Sequence, residues 1–180
     1  VILYLHGNAG NLDGWGQQAN TFDSIPYDVL MLDYRGFGKS EGNISNQEQL
    51  YKDLSCVYTF LLSKYNKSNI IIIGYSIGTG PASYLASMYQ PKKLILQAPY
   101  YNFTDFTSNI VPYFPNILKK FSFPSNEYFK SIKCPIIIFH GKDDKTIPVE
   151  NSLELKKLFK AQDQLYILEN QDHIGMNENI

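Results

Sequence analysis

The segment Gly74-Tyr75-Ser76-Ile77-Gly78 directly follows an apolar run, Ile70 to Ile73, and directly precedes a stretch of helical period. A serine flanked this way sits on a turn so sharp that its neighbours need to be glycine. The turn holds the serine in a strained conformation, with its hydroxyl exposed at the carboxyl end of the strand. Ser76 is therefore a candidate nucleophile. The helix beyond it points its amino end at the same place, so the N–H of Ile77 is a candidate donor to an oxyanion. A bare G-x-S-x-G pattern is weak evidence, and a serine in a merely structural glycine-rich turn is the competing reading. The strand-turn-helix context favours the chemical one.

An unassisted serine hydroxyl is a poor nucleophile and needs a base. Three histidines are available, and all follow apolar runs: His6 in Leu5-His6-Gly7-Asn8, His140 in Phe139-His140-Gly141, and His173 in Glu169-Asn170-Gln171-Asp172-His173. Groups that act on a ligand gather at the carboxyl ends of parallel strands, which admits all three. Sites built on this kind of turn run in the chain order serine, acid, histidine, which leaves His140 and His173. His173 also leaves room for an acid before it, and its polar loop lets the side chain reach a neighbouring strand end. For the acid, Gly141-Lys142-Asp143-Asp144-Lys145-Thr146-Ile147-Pro148 offers two carboxylates. Either Asp143 or Asp144 could fix the imidazole tautomer. The competing reading is an exposed acidic turn balanced by Lys142 and Lys145.

Short, β-branched, apolar runs must carry these loops: Val1 to Leu5, Val29 to Leu32, Ile70 to Ile73, Leu94 to Leu96, Ile136 to Phe139 and Leu165 to Leu168. Runs this short and this apolar are what strands buried on both faces look like. Helical period occupies Gln47 to Tyr65, with Leu50, Leu54, Val57, Leu61 and Leu62 on one face, then Gly78 to Tyr89 and Val149 to Phe159. Alternating strands and helices imply an α/β fold, a mostly parallel sheet of about six strands with helices on both faces. The connection from Pro99 to Cys134 breaks the rhythm: it has no clean period and is rich in aromatics, among them Tyr100, Tyr101, Phe103, Phe106, Tyr113, Phe114, Phe121, Phe123, Tyr128 and Phe129. A connection this long is functional or disordered, and its aromatic content argues for a lid or cap over residues 100–130.

Bulk properties narrow the function classes. The chain has the length of one domain, and its 16 Lys and Arg against 17 Asp and Glu leave a net charge of -1, so no footprint for nucleic acid or an anionic membrane stands out. A small-molecule or acyl substrate is the default partner. No apolar run approaches the roughly 20 residues needed to span a bilayer, so no integral membrane segment is expected. The chain opens without Met, directly in an apolar run, and reads as a fragment of a longer protein, with a cytoplasmic setting expected. Cys56 and Cys134 show no metal-ligand spacing and read as buried free thiols. Gly38-Lys39-Ser40 after a strand raises a phosphate-binding alternative, but a P-loop needs glycine five positions earlier, where Asp33 stands. Asp33, Arg35 and Gly36 read instead as a structural turn with an internal ion pair.

Together, His6-Gly7-Asn8-Ala9-Gly10-Asn11, Asp33-Tyr34-Arg35-Gly36-Phe37-Gly38-Lys39-Ser40, Gly74-Tyr75-Ser76-Ile77-Gly78, Gly141-Lys142-Asp143-Asp144 and His173 resemble the successive signatures of the α/β-hydrolase superfamily. Within it, the pattern is similar to the serine-aminopeptidase-like and acyl-protein-thioesterase (depalmitoylase) branch. The resemblance implies one α/β-hydrolase domain over residues 1–180. It also implies Asp144 as the acid, because the family's Asp precedes a Val/Ile-Pro pair, and Asn8 as the second oxyanion N–H beside Ile77. It further implies a serine hydrolase that cleaves an ester, thioester or related acyl bond, with no metal or organic cofactor. An aminopeptidase-like amide hydrolase and a non-catalytic binding module are the alternatives; modules of the latter kind typically lack the nucleophile or base. The sequence departs from the family at both ends: two further strands usually precede the His-Gly turn, and a full helix usually follows the histidine.

Overall fold

The computed structural model describes residues 1–8, 10–23, 25–104, 106 and 121–176. Six strands form one parallel sheet: β1 (Ile2–Leu5), β2 (Val29–Met31), β3 (Ile71–Tyr75), β4 (Lys93–Gln97), β5 (Ile136–Gly141) and β6 (Gln164–Leu168). Their order is β2-β1-β3-β4-β5-β6, with β2 and β6 outermost. Each corresponds to one of the apolar runs, and all five strand pairs are parallel. The register matches Leu5 to Gly74, Gly74 to Leu96 and Leu96 to Ile138. The strands therefore finish almost level, and the loops after β1, β3, β5 and β6 open at a common end of the sheet.

Alternation along the strands sends successive residues to opposite faces. Leu3, Leu5, Ile72, Leu94, Leu96, Ile136 and Ile138 belong to one buried cluster with Leu50 and Leu54 of α2 (Gln47–Leu62) and Ala82, Leu85 and Ala86 of α3 (Thr79–Tyr89). Ile2, Tyr4, Ile71, Ile73 and Tyr75 form the other cluster, packed against Trp15, Phe22 and Met176. Trp15 ends α1 (Leu12–Trp15), and Phe22 ends the 3-10 turn that continues it, Gly16–Phe22. This short α1 segment covers the second face although its sequence shows no apolar period.

The amino end of α2 follows from its sequence. The Asn46 side chain accepts from the N–H of Gln49, a free donor of the first turn, and the Gln49 side chain accepts in return from the N–H of Ser45, just before the cap. Its buried face is Leu50, Tyr51, Leu54, Tyr58 and Leu61. Leu62, expected on that face, is exposed, and Tyr51 and Tyr58 take the inner positions instead. Cys56 is likewise exposed on the far side of α2, which corrects the expectation of two buried thiols; Cys134 is buried. The expected ion pair within the 33–36 turn is also corrected. Arg35 donates twice to Asp53 on α2, at 2.7 Å each, while Asp33 accepts from the N–H of Leu12 at 2.9 Å.

Within the long aromatic connection, α4 (Ser125–Phe129) packs on α3, and Tyr100, Phe103, Phe106, Phe121, Phe123 and Phe129 are buried. Tyr113 and Phe114 lie outside the described residues. After β5 comes α5 (Glu150–Lys156), whose Leu155 joins the first cluster.

Candidate active site

Ser76 follows the last residue of β3 and has φ +52, a left-handed conformation rare for a residue with a side chain. Such a conformation costs on the order of 1–3 kcal/mol and persists only where the surroundings enforce it. They do so here by crowding. A Cβ added at Gly74 would lie 2.7 Å from the Ala82 Cβ and the Gly78 carbonyl oxygen, and one at Gly78 would lie 2.7 Å from the His6 carbonyl oxygen. Both flanking positions must therefore be glycine.

His173 reaches this serine from the loop after β6. Its Nδ1 lies 2.7 Å from Asp144 Oδ2, and its Nε2 lies 3.0 Å from Ser76 Oγ. A carboxylate only accepts, so Nδ1 carries the hydrogen; Nε2 is then the basic nitrogen, and the Ser76 hydroxyl donates to it. The two loops that carry these groups are stitched together. The N–H of Lys142 donates to the Leu168 carbonyl and that of Asp143 to the Gln171 carbonyl, both at 2.9 Å, and the Tyr75 hydroxyl donates to the His173 carbonyl.

Of the two acids the sequence offers, Asp144 faces the imidazole and Asp143 is exposed. The Asp144 side chain is fully buried. Its Oδ1 accepts from the N–H groups of Thr146 and Ile147, at 2.8 Å each. Burial alone would raise its pKa, but hydrogen bonds from His140, His173 and Ile147 outweigh it and hold the carboxyl well below the usual range. His6, the remaining histidine, is buried beneath the turn after β1, donating from Nδ1 to the Gly7 carbonyl at 2.7 Å and packed on Tyr34 and Trp15. The sequence reading missed the proximity of His140 to Asp144, at 3.4 Å.

Ser76 and His173 open into a cavity of about 490 Å³ lined also by Asn8, Ile77, Trp15, Tyr75, Tyr100, Phe103, Phe106 and Ile174. Asn8 and Ile77, the two expected oxyanion donors, are thus on its wall beside the serine. Among the described residues lining it, His173 is the only histidine. No group of His, Cys, Asp and Glu among the described residues is arranged to hold a metal ion.

The sequence profile of the alpha/beta hydrolase fold matches residues 1–128. The chain belongs to the alpha/beta hydrolase family. Among relatives, a lysophosphatidylserine lipase, ABHD12 of Danio rerio, is 31% identical over 179 residues, 88% of this chain and 47% of that protein. Human protein ABHD12B is 30% identical over 92% of this chain and 51% of its own length, and human alpha/beta hydrolase domain-containing protein 17B is 31% identical over 86% and 54%. This alpha/beta hydrolase chain thus spans about half the length of these relatives. Among solved structures, the Pyrococcus furiosus esterase Pf2001 superposes with a TM-score of 0.76 at 22% identity, covering 96% of this chain and 74% of its own. The ferulic-acid-bound Est1E of Butyrivibrio proteoclasticus gives 0.78 at 18% identity, covering 96% and 80%. At these identities the likeness is one of fold.

Proposed function

We propose that the chain is a serine hydrolase that cleaves carboxylic esters through an acyl-enzyme on Ser76, with His173 as general base and Asp144 as the acid that orients it. The observation that carries this reading is the unbroken run from Ser76 Oγ through His173 to Asp144, ending in an apolar cavity. The name of the ABHD12 relative, a lysophosphatidylserine lipase, supports an ester as the bond cleaved.

In this mechanism His173 Nε2 takes the Ser76 proton as Oγ attacks the carbonyl carbon. The negative charge that develops on the carbonyl oxygen is met by the N–H groups of Asn8 and Ile77. The imidazolium formed at that moment is stabilised by Asp144, which remains ionised. It then returns its proton to the leaving alkoxide, releasing the alcohol. Water enters, gives its proton to the same nitrogen and attacks the acyl carbon; the proton passes back to Oγ as the acid departs. Trp15, Tyr75, Tyr100, Phe103 and Phe106 give the cavity an apolar wall suited to an acyl or aryl group. Tyr100, Phe103 and Phe106, three of these aromatics, come from the segment expected to form a lid.

The test is a panel of p-nitrophenyl esters, acyl thioesters and aminoacyl amides assayed with the purified chain. Ester turnover that exceeds amide turnover is the expected result. Turnover confined to aminoacyl amides would assign the aminopeptidase-like activity, and no turnover of any class would contradict a hydrolase.

A further inference from the structure

A fully buried histidine must place both ring nitrogens, and His140 places them inside the loop that holds the acid. It is the penultimate residue of β5 and has no side-chain exposure. Nε2 lies 2.8 Å from the Ile147 carbonyl, which only accepts, so Nε2 carries a hydrogen. Nδ1 lies 2.6 Å from the hydroxyl of Ser152, itself buried in α5. Nε2 itself also lies 3.4 Å from Asp144 Oδ2, so the ring edge that donates to the Ile147 carbonyl presents its positive N–H dipole to the carboxylate as well. Oδ2 is the same oxygen that takes the His173 hydrogen. One buried carboxylate oxygen therefore stands between two imidazoles, while the other oxygen is filled by two backbone N–H groups.

A carboxylate without water must be held by donors from several directions, or it rotates or takes up a proton. Thr146 and Ile147 fix one oxygen in its loop. His140 lies against the oxygen that His173 uses and also donates to the carbonyl of Ile147, whose N–H is one of the two donors to the other oxygen. Ser152 fixes the ring in turn, which ties the acid loop to α5.

We propose that His140 is a positioning residue for the reaction, acting through Asp144: it holds the acid loop so that the carboxylate is aimed at His173 Nδ1. The proposal rests on the assignment of Ser76, His173 and Asp144 given above. A histidine that merely braced β5 against α5 would show the same burial, and the two roles separate by coupling. A positioning role vanishes when Asp144 can no longer act; a bracing role does not.

The experiment compares the wild-type chain with His140→Leu, His140→Gln, Asp144→Asn and the double variant His140→Leu/Asp144→Asn. The readouts are kcat/KM on a p-nitrophenyl ester, the labelling rate with a fluorophosphonate, thermal melts, and the far-downfield proton resonance of His173 Nδ1–H. His140→Leu is expected to lower kcat/KM and labelling by on the order of tenfold or more and to shift the resonance. His140→Gln, whose amide N–H reaches the position of Nε2, is expected to restore most of the activity. In the Asp144→Asn background, His140→Leu should have no further effect. Where His140→Leu melts below the assay temperature, Ser152→Ala serves in its place, with a shifted His173 resonance in the folded protein as the expected result. The proposal is overturned if the His140 and Asp144 effects multiply, if glutamine rescues no better than leucine, or if Ser152→Ala leaves the resonance unmoved. Wild-type activity in His140→Leu beside an impaired Asp144→Asn overturns it alone, whereas wild-type activity in Asp144→Asn overturns the assignment of the acid as well.

Discussion

Adjacent carboxylates in one turn have different fates because one side chain is drawn into the sheet end and the other into water. Asp143 and Asp144 are both plausible by residue type, and only the resemblance to a known family favoured Asp144; the geometry brings Asp144 alone to the imidazole. Asp144→Asn should therefore lower kcat/KM by on the order of 10^3- to 10^4-fold, as loss of the orienting acid does in other triads. Asp143→Asn should leave it near wild type, and an equal loss in the two variants would move the acid role to Asp143. The depressed pKa of Asp144 makes a second prediction about stability. The folded protein binds this proton less readily than the unfolded chain, whose value is near 3.8, so the contribution is complete above that pH and fades as pH falls below it. The difference in Tm between wild type and Asp144→Asn should accordingly shrink on acidification below about pH 4. A difference constant from neutral pH to pH 3 would mean that the carboxylate is not held as described. Strand ends and chain order mark Ser76 and His173 in the sequence and leave the acid within the turn that holds Asp143 and Asp144. The tie from His140 to Ser152 and Ile147 was not legible, since a contact through space between a strand and a helix leaves no spacing in the sequence.

At the scale of elements, legibility followed apolar density. All six strands are marked by their own apolar runs, and α2 and α3 by their period. The α1 segment escaped notice because it holds its place through few side chains, Trp15 and Phe22, that cover the sheet from a polar stretch. In α2 the tyrosines displaced Leu62 from the inner face, since Tyr51 stacks on Tyr84 at 3.7 Å and Tyr58 on Tyr89 at 4.5 Å. The described phenylalanines of the aromatic connection, with Tyr100, serve two tasks. Phe121, Phe123 and Phe129 are core, whereas Tyr100, Phe103 and Phe106 are buried and also wall the cavity beside Ser76. An apolar wall gains roughly 0.8 kcal/mol for each methylene it removes from water. The chain should thus show kcat/KM rising from acetyl to octanoyl p-nitrophenyl esters, and a flat series would mean that the acyl group does not occupy this wall.

At the scale of the whole molecule, a level parallel sheet turns separate loops into one site. The loops after β1, β3, β5 and β6 supply Asn8, Ser76, Asp144 and His173 from positions spread across 166 of the chain's 180 residues. Among the described residues no helix is long and apolar enough to cross a membrane, and the side chains that line the cavity offer it a single histidine for chemistry. Everything proposed about activity therefore converges on one oxygen atom, Ser76 Oγ. The most direct measurement is intact and peptide mass spectrometry after exposure of the purified chain to a fluorophosphonate, run beside Ser76→Ala. The account predicts a single adduct on the peptide that carries Ser76, no adduct in Ser76→Ala, and loss of ester turnover by about 10^4-fold or more in that variant. An adduct on another serine, or turnover that survives Ser76→Ala, would contradict it.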